Sequence, residues 1–353
     1  MDVKIDVIMK YLFLTFCALF ALEAFSQAPN FDWTKSFVAN ETDEPFSIIS
    51  TSDGGYIIAG HSNSTISGDK SDGNILPILN QFQRFDIWIV KFNALGVKIW
   101  DKTIGGNYNE FEPQIIASSD NGFVLVCHSY SHISGQKTAN NVGGADFWVI
   151  KYDESGTKVW DKTFGATGTE LSPKIVSTND GFLICGQSNS NASGSKSNNS
   201  YNNSNDIWLI KIGNNGQKIW DKTFGGFSNE IKPIISINNI GEIILGASSN
   251  SNISGKKTEN AIGGFDIWVM KLSPTGDLIW DKTMGTEDDE YLGGVTIDSD
   301  NNIILVASSG AQGYSHTTIL IKKWVQLGKY YGSEKFIKQH IFLKLLEIKM
   351  VDI

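Results

Sequence analysis

The sequence predicts an all-β fold, a β-propeller of four-stranded antiparallel blades, and three observations carry that prediction. The stretch DIWLIKIGNNGQKIWDKTFGG at residues 206–226 has three further copies, at 86–106, 146–166 and 266–286. The second tryptophan of each copy falls at 100, 160, 220 and 280, a fixed period of 60 residues, and a fixed period is the signature of a repeat architecture. Each unit reads as four short strands separated by Gly/Asn turns, with no 3.6-residue apolar period. The second and third strands (FVLVC, DFWVIKY) are apolar at nearly every position. Both of their faces must therefore be covered, which radially stacked sheets achieve and a sandwich with one wet face does not.

Taken in order, the chain opens on a targeting pattern. Lys10 precedes an apolar run over residues 11–22, and Ala24 and Ser26 stand at −3 and −1 of a cleavage site before Gln27. Residues 1–26 read as a secretory signal peptide, with a run too short for a membrane span. Residues 27–332 read as the repeat domain, in units of about 33–99, 100–159, 160–219, 220–279 and 280–332, and residues 333–353 form a tail that matches no part of the repeat. Within a unit, a Gly-rich turn leads to an acid (Glu110, Glu170, Glu230, Glu290), and Pro113, Pro173 and Pro233 are expected to open the first strand. Asp-Gly and Asn-Gly hairpins such as Asp53-Gly54 and Asn121-Gly122 follow, supplying the positive φ of tight turns. A long polar loop then separates the second strand from the third, and a turn at Gly96, Gly156, Gly216 or Gly276 leads to the fourth. Residues 32–37, DWTKSF, are a clipped copy of that fourth strand, while the fifth unit lacks a clear one. Five blades closed by this N-terminal strand are the expected ring, since closure removes an exposed sheet edge.

A formal net charge of −9 argues against nucleic acid, which needs a basic stripe. Cys127 and Cys185 lie one position out of register in neighbouring units, which suits buried free thiols better than a disulfide. No paired Cys/His spacing supports zinc. The chain also lacks a Gly-x-Ser-x-Gly elbow, a His-Glu-x-x-His helix and a phosphate-binding Gly loop. No cofactor and no catalytic constellation are expected.

The segments TSDGGYIIAGHSNS (51–64), SNISGKK (251–257) and DIWxxK…IWDKTFGG together resemble a repeat abundant in secreted proteins of Bacteroidetes. The resemblance covers roughly residues 30–323. It implies a β-propeller, exported and in many relatives carried by a type IX secretion sorting domain, which residues 333–353 do not match. It implies no catalytic residues.

Candidate residues follow from the repeat. Trp88, Trp148, Trp208 and Trp268 on the third strand and Trp100, Trp160, Trp220 and Trp280 on the fourth read as packing blocks between blades, because they stand at the same place in every unit. The Asp-Lys pairs that follow (Asp101/Lys102 and its counterparts) are expected to make surface ion pairs. Loops two-to-three and four-to-one emerge at one end, and functional residues concentrate on loops held by a rigid frame. That end is the expected ligand face, with Glu110, Glu170, Glu230 and Glu290 on it. Asp288 and Asp289 are candidates for a weak divalent-ion site, and the turn 298–302 lacks the Gly and distal acid of a calcium loop. His61 and His128 share an aligned place that other units fill with Gln187 and Ala247. The sequence thus favours a secreted, periplasmic or cell-surface binding or adhesion module for a glycan or a protein surface. The alternatives are a structural surface module and a polysaccharide hydrolase or lyase.

Overall fold

Short apolar segments punctuated by Gly and Asn turns fold as the repeat requires. The computed structural model describes residues 33–75, 84–310, 318–326 and 336–337, so the expected signal peptide, Asp32 and most of the tail lie outside the described residues. The first sheet is β1 (Asp43–Ser50), β2 (Tyr56–Ser62), β3 (Asp86–Phe92) and β4 (Lys98–Ile104). The second is β5 (Glu110–Ala117), β6 (Phe123–Ser129), β7 (Asp146–Tyr152) and β8 (Lys158–Phe164). The third is β9 (Glu170–Thr178), β10 (Gly181–Ser188), β11 (Asp206–Gly213) and β12 (Lys218–Phe224). The fourth is β13 (Glu230–Ile237), β14 (Ile243–Ser249), β15 (Asp266–Leu272) and β16 (Leu278–Met284). The fifth is β17 (Asp289–Ile297), β18 (Ile303–Gly310), β19 (Thr318–Gln326) and β20 (Phe336–Ile337).

Every sheet is an antiparallel meander in sequence order. First strands of successive sheets pack on one another, β1 on β5, β5 on β9, β9 on β13 and β13 on β17. This is the blade-on-blade packing of a propeller. The core lies between sheets: Ile57, Ala59 and Ile89 of the first sheet meet Phe123, Leu125, Cys127 and Trp148 of the second. All seven positions of β3, β7 and β15 are buried, as strands covered on both faces must be. Cys127 and Cys185 are buried free thiols.

Several expectations are corrected. The prolines do not open the first strands. β5, β9 and β13 begin three residues earlier, at the glutamates, and the register shifts between Phe111 and Gln114 and at the equivalent places. Glu112, Ser172 and Lys232 take φ near +50° there, so Pro113, which cannot donate to a ladder, sits where a bulge makes no demand on it. The fourth strand, with the WDKT segment, stands last in its own sheet, which is where the repeat places it. Residues 33–37 form no strand, and the fourth place in the fifth sheet belongs to β20, paired through Val325–Ile337 and Gln326–Phe336. Phe37 packs on Phe92, with ring centroids 4.4 Å apart, and the Val38 amide donates to Asp69 (3.0 Å), which ties Phe37 and Val38 to the first sheet.

The tryptophans belong to the packed frame. Trp88, Trp148, Trp208 and Trp268 are buried, and each Nε1–H donates across to the strand-four aspartate (Asp101, Asp161, Asp221, Asp281) at 2.9–3.0 Å. These aspartates are buried, not surface ion pairs, and Asp101, Asp161 and Asp221 take the lysine three residues earlier, not the adjacent one. Trp100, Trp160 and Trp220 lie against Gly156, Gly216 and Gly276 of the next sheet's turn, and Trp280 packs on the core that the fifth sheet shares.

Candidate functional site

The loop end is built from the repeat outward. Each long loop is pinned by a two-residue bridge (Ser67–Lys70, Ser134–Lys137, Ser193–Lys196, Ser254–Lys257), and its lysine is buried. Lys70 and Lys137 lie over the rings of Trp88 and Trp148 at 5.5 and 5.8 Å. The loop backbone is held by the strand-four aspartate, as where Thr138 N and Oγ1 donate to Asp161 at 3.0 and 2.9 Å. The long loops are packed structure rather than free binding arms.

Glu110, Glu170, Glu230 and Glu290 are wholly buried, which removes them from an exposed ligand face. Their Oε1 atoms accept from Ser129, Ser188, Ser249 and Ser309 Oγ at 2.7 Å, and their Oε2 atoms from the backbone amides of Gly106, Ala166, Gly226 and Thr286 at 2.9–3.2 Å. They staple turn to strand. Asp288 is exposed and Asp289 buried, with Asp289 Oδ1 accepting from Phe265 N at 2.8 Å. Asn109 does the same for Phe85 N at 3.0 Å three seams earlier, so Asp289 fills a structural place in the repeat. Among the described residues no group of three His, Cys, Asp or Glu side chains converges as a metal site. The turn at Asp298 folds on itself, its Oδ1 accepting from Asp300 N and Asn302 N.

Where the repeat breaks, at the seam between the first two sheets, a different surface forms. His61 ends β2 against Phe46 (4.8 Å between centroids), Phe85 (5.0 Å) and Phe111 (5.2 Å). Phe111 continues to His128 (5.7 Å), and His128 to Tyr130 (6.1 Å). Phe46 and Tyr130 are 38% and 39% exposed, so the stack has open ends rather than the closed packing of the core. Two acids flank it: Glu44 Oε2 lies 3.4 Å from His61 Nε2, and Glu112 Oε2 lies 3.8 Å from His128 Nδ1. The bulge that puts Glu112 at φ +53° is what turns its carboxylate toward the seam. Arg84, the chain's only arginine, sits beside Phe85, donates to Asn107 O and covers Tyr108 at 5.6 Å.

Burial pushes both imidazoles below the ordinary histidine range, against the raising pull of Glu44 and Glu112 at His61 and of Glu112 at His128. They are therefore neutral at neutral pH. His61 Nδ1 and His128 Nδ1 are buried without a hydrogen bond. Strand register puts Gln187 and Ser248, not Ala247, at the aligned places in later sheets, paired with Leu171 and Ile231 as His128 is paired with Phe111. The sequence showed only that the two histidines share an aligned place. It did not show that Phe111, 50 residues beyond His61, meets it across the seam.

No protein-family model matches the chain. The regulatory protein FlaEY of Caulobacter vibrioides is 18% identical over 223 residues, which cover 60% of this chain and 23% of that protein, so the chain spans under a quarter of its length. Among solved structures, an ulvan lyase of a polysaccharide lyase family aligns with TM-score 0.48 and 9% identity, over 86% of this chain and 73% of that one. A protein of unknown function from Dyadobacter fermentans aligns with TM-score 0.48 and 11% identity, over 81% and 80%. An endo-arabinase from Bacteroides thetaiotaomicron aligns with TM-score 0.39 and 12% identity, over 81% and 96%.

Proposed function

We propose that the protein is an exported, non-catalytic binding propeller that holds a glycan on the open aromatic stack at its first seam. The observation that carries this reading is the asymmetry. Four sheets repeat the same buried frame, and the first seam adds to it a run of five rings, Phe46, His61, Phe111, His128 and Tyr130, with exposed ends, and the chain's only arginine. Aromatic faces stack on sugar rings, and neighbouring donors and acceptors satisfy hydroxyls. Glu44 and Glu112, in a chain of net charge −9, favour a neutral or amino-bearing saccharide over an anionic one.

Nothing in the patch requires catalysis. Glu44 and Glu112 each face a histidine that burial keeps neutral, and the paired carboxyl groups of the seams are sealed from solvent. The test is a panel of neutral, amino-bearing and anionic polysaccharides, each scored for retention of the protein and for release of shortened chains. Retention without chain shortening supports the reading. Chain shortening would make the protein an enzyme, and no retention by any member would leave a structural surface module.

A further inference from the structure

We infer that each of the four seams joining consecutive sheets is latched by one proton held between two buried carboxyl groups, and that loss of these protons as pH rises loosens the loop end. The pairs are Asp86–Glu110, Asp146–Glu170, Asp206–Glu230 and Asp266–Glu290. In each, the aspartate begins the third strand of one sheet and the glutamate lies at the start of the first strand of the next. All eight side chains are at most 2% exposed.

Hydrogen-bond accounting places the proton. Both glutamate oxygens are filled by a serine hydroxyl and a turn amide, as described above. The aspartate Oδ2 atoms accept from the loop amides of Ile75 (2.8 Å), Val142 (2.7 Å), Tyr201 (2.5 Å) and Ile262 (2.6 Å). The other oxygen, Oδ1, of Asp86, Asp206 and Asp266 lies at the same glycine as the paired glutamate's Oε2, and Asp206 Oδ1 also accepts from Ser204 Oγ at 3.4 Å. Asp146 Oδ1 and Asp266 Oδ1 are buried and receive no N–H or O–H from any other group. In the first, third and fourth seams the aspartate Oδ1 and the glutamate Oε2 crowd the same glycine, Gly105, Gly225 or Gly285. Two ionised carboxylates so close in a dry site repel, so one of them must be an acid. Space is closed as well. A β-carbon on Gly105 or Gly225 would lie 2.9 or 2.7 Å from Glu110 or Glu230 Oε2, with the aspartate Oδ1 closer still. The glycine after each WDKT strand is the backbone that lets the two carboxyls meet.

Charge balance agrees. The first pair faces Lys70 and Arg84, with Asp43, Asp72 and Asp101 around that lysine. The second pair faces Lys137, with Cys127 and Asp161 nearby. Lys196, Tyr201 and Asp221 surround the third, and Lys257, Glu259 and Asp281 the fourth. The ammoniums are bound mainly by serine and asparagine oxygens rather than by the pairs. In the second to fourth seams one lysine against two carboxyls leaves a buried negative charge unless a proton cancels it. In the first, where Arg84 joins Lys70, Asp43, Asp72 and Asp101 add negative charge around that lysine, and like carboxyls in a dry site do not both ionise.

Burial raises Asp86, Glu110, Asp146, Asp206, Glu230 and Asp266 above the usual carboxylate range. The folded state therefore binds more protons than the unfolded chain. The stability these groups contribute is full on the acid side and is lost as pH rises from the ordinary carboxylate range through neutrality. His61 and His128, with lowered values, act in the opposite direction. The four lysines, also lowered, do so at higher pH.

The experiment compares thermal unfolding of the full chain with that of the quadruple variant E110Q/E170Q/E230Q/E290Q from about pH 5 to about pH 8. A glutamine supplies the hydrogen without titrating, and the histidines and lysines are common to both proteins. The expected result is a wild-type Tm that falls relative to the variant as pH rises. Infrared spectra of the wild type are expected to show a protonated carboxyl band at neutral pH that disappears in alkali, and this band decides the matter if the variant does not fold. Parallel Tm curves, or no such band at neutral pH, would overturn the inference.

Discussion

Asp161 accepts hydrogen bonds from Trp148 Nε1, Thr138 N, Thr138 Oγ1 and Lys158 Nζ, all at 2.9–3.0 Å. Burial alone would raise its carboxyl. These donors outweigh burial and hold it below the usual range, so its contribution is present at neutral pH and lost in acid. The paired carboxyls of the seams, with fewer donors per oxygen, move the opposite way. One repeat thus holds two kinds of buried acid, an ion at the strand-four position and an acid–carboxylate pair at the seam. Asp161→Ala leaves a buried indole N–H and a loop amide unsatisfied, and the expected cost is about 3 kcal/mol by chemical denaturation. The identity of such residues was legible as repetition, but their role was not. An Asp at 161 and a Trp at 148 reveal their bond only once strand register is known, and a polar residue repeated at a loop edge looks the same whether exposed or sealed.

At the scale of elements, the turn between third and fourth strands does double duty. Gly156 takes φ +76°, and a β-carbon there would lie 2.9 Å from Trp100 Cζ2 of the preceding sheet, while Lys102 Nζ donates to its carbonyl. Gly294, in β17, has nothing within 4 Å of the same position and no left-handed φ. Gly156→Ala is expected to destabilise by about 1–3 kcal/mol, and Gly294→Ala to be neutral or to stabilise by about 0.5 kcal/mol through the unfolded chain. The pair of melting curves checks both. Strands, hairpins and the Gly of each turn were readable because their physics is local. The bulges were not, because Pro113 signals a break in the ladder without saying whether the strand starts there or passes through it. The long loops were misread for a related reason: Ser, Asn and Lys suit solvent equally well as a buried polar network, and Lys137 at 2% exposure belongs to the second case.

At the scale of the whole molecule, the lysines of the third strands tie down the hairpins at the opposite end. Lys91, Lys151 and Lys211 bind Asp53, Asp120 and Asp180, and Lys271 binds Glu242. Both ends are therefore stitched by repeated charges, and repetition in every sheet marks frame. Information specific to this protein lies where copies differ. The first seam differs most, in Glu44, Phe46, His61, Phe85, Phe111, Glu112, His128 and Tyr130. No helix among the described residues is long and apolar enough to cross a membrane. The measurement that tests the account most directly is equilibrium binding of the retained saccharide to the wild type, to Phe46→Ala/Tyr130→Ala, and to Trp160→Phe as a frame control. The exposed-ring variant is predicted to lose at least about tenfold in affinity, the worth of about 1.4 kcal/mol of stacking, with its Tm unchanged, while Trp160→Phe lowers Tm and keeps the affinity. Undiminished binding by the exposed-ring variant would contradict the account.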